Sequence, residues 1–325
     1  MDRLTDVDAR WGEDRPDLLA LRALKLGDLL VAVPAIHGLR RAWPDHRLVL
    51  AVPGWLEQIV ELIGGVDALL PTPGLDDPLP VPRGGVDIAV NLHGSGAESR
   101  TRVDALGARL TIAHRVDEID GAHPDDPRMP VWQDGILERV RWTRLVAAYG
   151  VAADADDVAL LPPPVLPEPA AVVHVGSGYG SRRWPEDRFA AVGRMLRARG
   201  LPVVYTGNAA ERDRALRIAQ AAGDGDAAVL AGRIGLGEFA GHIAAATIVV
   251  SADTGAAHLA SAYGRPSVIV FGPAPAEEWG PPPGPHIVLT DAGARRGDAF
   301  ADTPDPALLA VTPAEVGDAV ERLLA

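Results

Sequence analysis

The sequence predicts an α/β protein of two Rossmann-like, doubly wound domains, and three observations carry that prediction. A chain of 325 residues exceeds what one hydrophobic core usually organises, which favours two domains of about 150 residues each. Both halves alternate short β-rich apolar runs with amphipathic stretches at helical spacing, the pattern of parallel sheets with helices on both faces. Between the halves lies Leu160-Leu-Pro-Pro-Pro-Val-Leu-Pro-Glu-Pro, whose prolines block helix and ladder pairing and favour an extended connection. The expected domains are therefore 1–162 and 163–325.

In the first half, strands are expected at Leu18–Leu24, Arg47–Val52 and Val86–Leu92. Asp28–Arg41 reads as a helix, with Leu29, Val33, Ile36 and Leu39 at helical spacing, and Pro34 is expected to kink it or shift its first turns. The second half gives strands at Ala171–Gly176, Pro202–Thr206, Ala228–Leu230, Thr247–Ser251 and Ser267–Phe271. Helices are expected near Asp187–Arg199, Ala209–Ala221, Gly237–Ala245 and Ala256–Tyr263. A Pro/Gly-rich stretch from Gly280 follows the last expected strand, and Pro313–Leu324 reads as a terminal helix.

Composition narrows the function. No apolar run approaches the ~20 residues of a membrane span, and the polar, acidic start Met1–Arg10 lacks a secretory signal. A soluble, cytoplasmic protein is the expectation, with peripheral membrane contact left open. The absence of cysteine removes thiolate nucleophiles and cysteine-ligated metals. A formal charge of −13 opposes nucleic acid as a partner. The positive charge is almost all arginine, with Lys25 the single lysine. H-E-x-x-H, G-x-S-x-G and Walker-type motifs are missing.

Three segments could carry chemistry. Arg22-Ala-Leu-Lys25-Leu-Gly27-Asp28 leads from a strand into a helix at the sheet edge where open α/β sheets bind ligands. Asp28 there is either a general base or a helix cap, and Lys25 either binds a phosphate or acceptor or is an ordinary surface residue. His174-Val-Gly176-Ser177-Gly178-Tyr-Gly180-Ser-Arg182-Arg183-Trp184-Pro185 joins a glycine-rich loop, whose amides can approach an anion, to paired guanidiniums. Its spacing is not the dinucleotide fingerprint G-x-G-x-x-G, and Arg183 also reads as a solvated residue. Asp253-Thr254-Gly255-Ala-Ala-His258 opens another helix with small residues, suited to a diphosphate, and His258 is either packing or a further contact. Asp6-Val-Asp8, Asp154-Ala-Asp156 and Asp224-Gly-Asp226 match the D-x-D spacing of metal-dependent transferases but read as solvated surface in polar loops.

Taken in this order, with Asn91-Leu-His93-Gly94, Gly207-Asn-Ala-Ala-Glu211, Leu230-Ala-Gly232 and Phe271-Gly-Pro273, these stretches resemble glycosyltransferase family 9, the heptosyltransferase-like enzymes of the GT-B fold. The resemblance implies two domains facing a central cleft, the first binding the acceptor and the second a nucleotide-sugar donor, with no cofactor and no metal. It implies Asp28 as the base, Arg182 in place of a donor-binding lysine, and Asp253, Thr254, Gly255 and His258 around the donor diphosphate and sugar. Glu211 falls at the donor ribose and Ile234 near the nucleotide base, while Gly176 and Ser177 belong to the donor loop. Lys25, Gly27 and His93 fall on the acceptor side, where Trp55 and Trp132 are further cleft candidates. The implied reaction is inverting, metal-independent transfer of a heptose from ADP-heptose to a hydroxyl on a natural product or envelope glycolipid. A nucleotide-sugar-binding protein without transferase activity, or a GT-B-like epimerase, stays open as an alternative. The chain departs from the family pattern at Arg182, at Lys25 where a small residue is expected, and at Ala274 where a hydroxyl residue is frequent.

Overall fold

The computed structural model describes residues 5–6, 11–12, 14–121 and 126–325. The chain divides into two compact units, Met1–Leu161 and Pro162–Ala325, so the break falls at the first of the three consecutive prolines.

In the first unit the elements run Thr5–Asp6 (β1), Asp17–Leu21 (β2), Leu26–Ala42 (α1), Arg47–Val52 (β3), Glu57–Ile63 (α2), Ala68–Pro71 (β4), Ile88–Asn91 (β5), Ala97–Asp104 (α3), Leu110–Ile112 (β6), Asp117–Asp120 (α4) and Glu138–Ala147 (α5). The strands form one parallel sheet in the order β1-β4-β3-β2-β5-β6. β2 is buried along its whole length, as a central parallel strand covered on both faces must be. Even its first residue is a carboxylate in the interior. Asp17 is tolerated there because Arg47 Nε donates to it at 2.6 Å and the Gly12 amide at 2.8 Å.

Winding leaves β2 toward β3 and β4 on one side and reverses at β5 toward β6 on the other. The crevice at the carboxyl ends of β2 and β5 is therefore the topological switch point, where doubly wound sheets bind ligands. α1 begins two residues earlier than expected, with Lys25 as N-cap, and continues unbroken through Pro34. The ring merely denies the Leu30 carbonyl its donor. β4, β6 and α5 were not anticipated. The two strands are only four and three residues long, and α5 reads as polar because of Arg139, Arg141 and Arg144, the first two of which are buried against Asp156 and Glu138.

The second unit contains Ala171–His174 (β7), Glu186–Ala198 (α6), Val203–Thr206 (β8), Arg212–Ala222 (α7), Leu236–Ala244 (α8), Ile248–Ala252 (β9), Gly255–Ala262 (α9), Ser267–Val270 (β10), Ala276–Trp279 (α10), His286–Leu289 (β11), Pro306–Ala310 (α11) and Pro313–Leu324 (α12). Its parallel sheet has the order β11-β10-β9-β7-β8, placing the switch point between β7 and β9. Two expectations are corrected. Ala228–Leu230 forms no strand: Asp226–Ala228 is a 3₁₀ turn, and only Val229 bridges to Tyr205. The fifth strand is β11, a four-residue, half-buried edge hidden behind the Pro-rich stretch from Gly280. Trp184 and Phe189, edge to face at 5.0 Å, anchor the core under α6, and Trp184 Nε1 donates to the Val311 carbonyl at 3.1 Å.

Candidate functional site

In the first unit, the loop after β2 and the loop after β5 meet at the switch point through one side chain. Arg22, 2% exposed, donates from Nε to the Asp28 carbonyl at 2.9 Å and from Nη1 to the Leu92 carbonyl. Its Nη2 lies 3.9 Å from Asp28 Oδ1, and its guanidinium stacks 4.5 Å from the Trp142 ring centroid. Burial pushes this guanidinium below the usual arginine range, opposed by the charges of Asp28 and Glu138. Asp28 is the third residue of α1 rather than its N-cap. Its Oδ2 accepts the Lys25 amide at 3.2 Å, so it closes the first turn of the helix while 26% of its side chain remains exposed. Gly27 lies beside it in that turn, and Lys25 is exposed.

His93 follows β5, its amide donating to Asn91 Oδ1 at 3.0 Å while Asn91 Nδ2 donates to Ser99 Oγ at 3.0 Å. Its Nδ1 is buried and unpartnered. Burial and the neighbouring Arg22 charge lower His93 to about 4, against a raising effect of Asp28, so the imidazole is neutral near pH 7. The remaining cleft candidates diverge. Trp55 stands 56% exposed on the turn after β3. Trp132 packs edge-on against His114 at 5.0 Å and Trp142 at 5.9 Å, beneath Arg141 at 3.9 Å, which makes it part of a packed cluster.

In the second unit, the glycine-rich loop after β7 is shaped by Glu211, a buried carboxylate. Oε1 accepts the Ser177 amide and Oε2 the Asn208 amide, each at 2.7 Å, tying the ends of β7 and β8 together. A Cβ on Gly176 would overlap Glu211 Oε2, so the carboxylate and the glycine require each other. Ile234 lies on the turn between Gly232 and α8. That turn is held to the β8 end by the Gly232 amide donating to the Gly207 carbonyl at 3.1 Å.

Across the second switch point, Arg182 Nη1 lies 3.2 Å from Asp253 Oδ2 and donates to the Asp253 carbonyl at 3.4 Å. Arg182 Nε is buried and unpartnered, as is Thr254 Oγ1 at the N-cap of α9. Gly255 opens that helix, and His258 Nε2 lies 3.9 Å from Asp253 Oδ1. The arrangement offers a guanidinium, a hydroxyl and a helix N-terminus to one anion. Arg183, by contrast, is exposed.

The D-x-D candidates do not converge. Asp156 pairs with Arg139 at 3.1 Å, and Asp224 with Arg197 at 2.9 Å and with the Tyr205 hydroxyl at 2.7 Å. Asp154, Asp156 and Asp226 are exposed, as expected of solvated surface, Asp224 is partly buried, and Val7 and Asp8 lie outside the described residues. Among the described residues no group of three or more histidines or carboxylates is placed to hold a metal ion. Among the described residues no helix is long and apolar enough to cross a membrane. Arg22 opens the first segment named from the sequence, but its bracing role and its partner Trp142 escaped sequence reasoning; the available signal was a charged residue ending an apolar strand.

The chain is similar to proteins of a known family. Residues 145–291 match glycosyltransferase family 9 (heptosyltransferase). Lipopolysaccharide heptosyltransferase 1 of Pseudomonas aeruginosa is 39% identical over 99 residues, 30% of this chain and 27% of that protein. Lipooligosaccharide heptosyltransferase 2 of Haemophilus influenzae is 28% identical over 158 residues, 41% of this chain and 46% of the relative. The matches thus span less than half the length of these relatives. The solved structure of E. coli ADP-heptose LPS heptosyltransferase II superposes with a TM-score of 0.72 at 21% identity, covering 95% of this chain and 98% of that one. The fold is GT-B, and the resemblance to glycosyltransferase family 9 is borne out, with the family match lying mainly in the second unit.

Proposed function

We propose that this protein is an inverting, metal-independent glycosyltransferase that moves a heptose from ADP-heptose to an acceptor hydroxyl, with an envelope glycolipid as the acceptor class. The observation that carries the reading is the Arg182–Asp253 pair at the second switch point, beside the unpartnered Thr254 hydroxyl and the start of α9, inside the segment matched to family 9. The names of the relatives, which include lipopolysaccharide and lipooligosaccharide heptosyltransferases, support the donor sugar and the acceptor class.

On this reading Asp28 takes the proton of the acceptor hydroxyl as its oxygen attacks the anomeric carbon. The bond to the β-phosphate oxygen breaks on the opposite face, which inverts the configuration. Negative charge growing on the departing ADP is met by Arg182 and by the first amides of α9, groups already oriented before the reaction begins. His93, neutral near pH 7, hydrogen-bonds the acceptor without competing for its proton.

Calorimetry with ADP, UDP, GDP and dTDP in EDTA, on wild type and Arg182→Ala, tests the donor site. Preference for ADP that weakens in the variant is the expected result; no binding of any of the four removes the reading. Incubation with ADP-heptose and glycolipid acceptors, with the product's anomeric configuration read by NMR, then tests transfer and inversion. One observation favours a second reading, a nucleotide-sugar-binding protein without transferase activity: Asp28 already accepts the Lys25 amide, a role that explains its presence without catalysis. Donor binding without product across the acceptor panel selects that alternative.

A further inference from the structure

Resting on the donor-site reading above, we propose that Arg295 is a second cationic contact for the donor's diphosphate. Arg182 alone is an incomplete answer to such a ligand. Its charge is already opposed by the buried carboxylate of Asp253 at 3.2 Å, so a diphosphate at this edge needs a cation from elsewhere.

Arg295 is placed to supply it. The Asp253 amide donates to the Val270 carbonyl at 3.0 Å, which lays the chain leaving β10 beside the start of α9. Two residues on, the Gly272 carbonyl accepts Arg295 Nε at 3.1 Å. Gly272 also abuts the donor loop: a Cβ on it would lie 3.5 Å from the Ser181 carbonyl, one residue before Arg182. Arg295 is therefore tethered through Nε to the residue that adjoins the Ser181 carbonyl and follows the strand end paired with Asp253.

Its own commitments are slight. Arg295 is 16% exposed, and its ion pair is with Glu277 at 3.7 Å, a side chain 67% exposed. Its Nη2 is buried and unpartnered. Thr290 Oγ1, directly after β11, shares that condition with Thr254 Oγ1 and Arg182 Nε. Unpartnered polar atoms are few in folded proteins, and here four follow the strands and loops of one sheet edge. A diphosphate supplies the acceptor oxygens they lack, displacing the weak Glu277 pair.

Calorimetric titration of ADP and of AMP into wild type, Arg295→Gln, Arg295→Lys and Glu277→Gln tests the assignment, with melting temperatures recorded throughout. Arg295→Gln should weaken ADP about tenfold while changing AMP less than about twofold, and Arg295→Lys should recover part of the loss. Glu277→Gln should tighten ADP about twofold, because the competing carboxylate is gone; this surface change keeps the test decisive if Arg295→Gln fails to fold. Wild-type-like ADP affinity in Arg295→Gln, equal losses for ADP and AMP, or no tightening in Glu277→Gln would each overturn the role of Arg295 while leaving the donor site standing. Failure of wild type to bind ADP overturns both.

Discussion

The two units build the same crevice, between the strand that starts the winding and the strand that reverses it, and each sets an arginine there. In the first, Arg22 is spent on the protein itself: two backbone carbonyls, the Trp142 face and the neighbourhood of Asp28. In the second, Arg182 pairs with a buried carboxylate while its Nε stays unpartnered. The first arrangement fixes the position of a carboxylate and an imidazole, and the second leaves a donor unsatisfied. One fold element thus serves as a brace in one half and, on the proposed reading, as a receptor in the other, according to how completely its donors are satisfied.

The comparison is most exposed to failure at Asp28. Replacement by Ala should lower kcat by about 10²–10⁴-fold with ADP affinity within about twofold of wild type. A wild-type turnover number would reduce Asp28 to a helix-closing residue. Next comes Arg22→Met against Arg182→Met. The first should cost roughly 3 kcal/mol of stability by removing a buried, hydrogen-bonded charge, visible in chemical denaturation, with ADP affinity unchanged, whereas the second, which strands the buried Asp253 carboxylate, should cost a comparable amount and weaken ADP binding as well. Weakened ADP binding in Arg22→Met, or unchanged ADP binding in Arg182→Met, would erase the distinction between brace and receptor.

Acid offers a smaller effect. His114, 1% exposed, is lowered to about 4 by burial and the charges of Arg141 and Arg144. The unfolded chain therefore binds its proton first, and stability falls as pH drops from about 6.5 through 4. Replacement of His114 by Leu should flatten that decline by roughly 2 kcal/mol, measured as denaturation midpoints at pH 7 and 4. Smallest is Glu211→Gln. An amide cannot accept from both the Ser177 and Asn208 amides as the carboxylate does, and the loss should be about 1–2 kcal/mol, with a parallel weakening of ADP.

Legibility in the sequence followed the same division. The proposed donor edge was readable because its residues sit in short contiguous segments: Arg182 after the glycine loop, and Asp253 through His258 in one strand–helix junction. The first unit was harder. Its brace joins Arg22 to Leu92 and Trp142, residues 70 and 120 positions away, and nothing local to Trp142 in an arginine-rich helix announces that contact. The setting of Arg295 was hidden for a related reason: its tether to Gly272 depends on β11, a strand too short to stand out behind six residues of proline and glycine. Asp28 was expected at or just inside the helix start and is its third residue, because Lys25 takes the N-cap place for which the sequence favoured the aspartate.

The glycines of the two loops set different limits on how this protein can diversify. A side chain at Gly180 would overlap the Asp302 carbonyl, and one at Gly176 the Glu211 carboxylate, whereas a Cβ at Gly96 meets nothing within 4 Å and one at Gly94 only the Gly96 amide at 3.9 Å. Saturation libraries should therefore return glycine alone at 176 and 180 and a broad spectrum at 94 and 96. On the proposed reading, a lineage carrying this scaffold can rewrite the loop beside Asp28, and with it the acceptor, while the nucleotide it draws on stays the same.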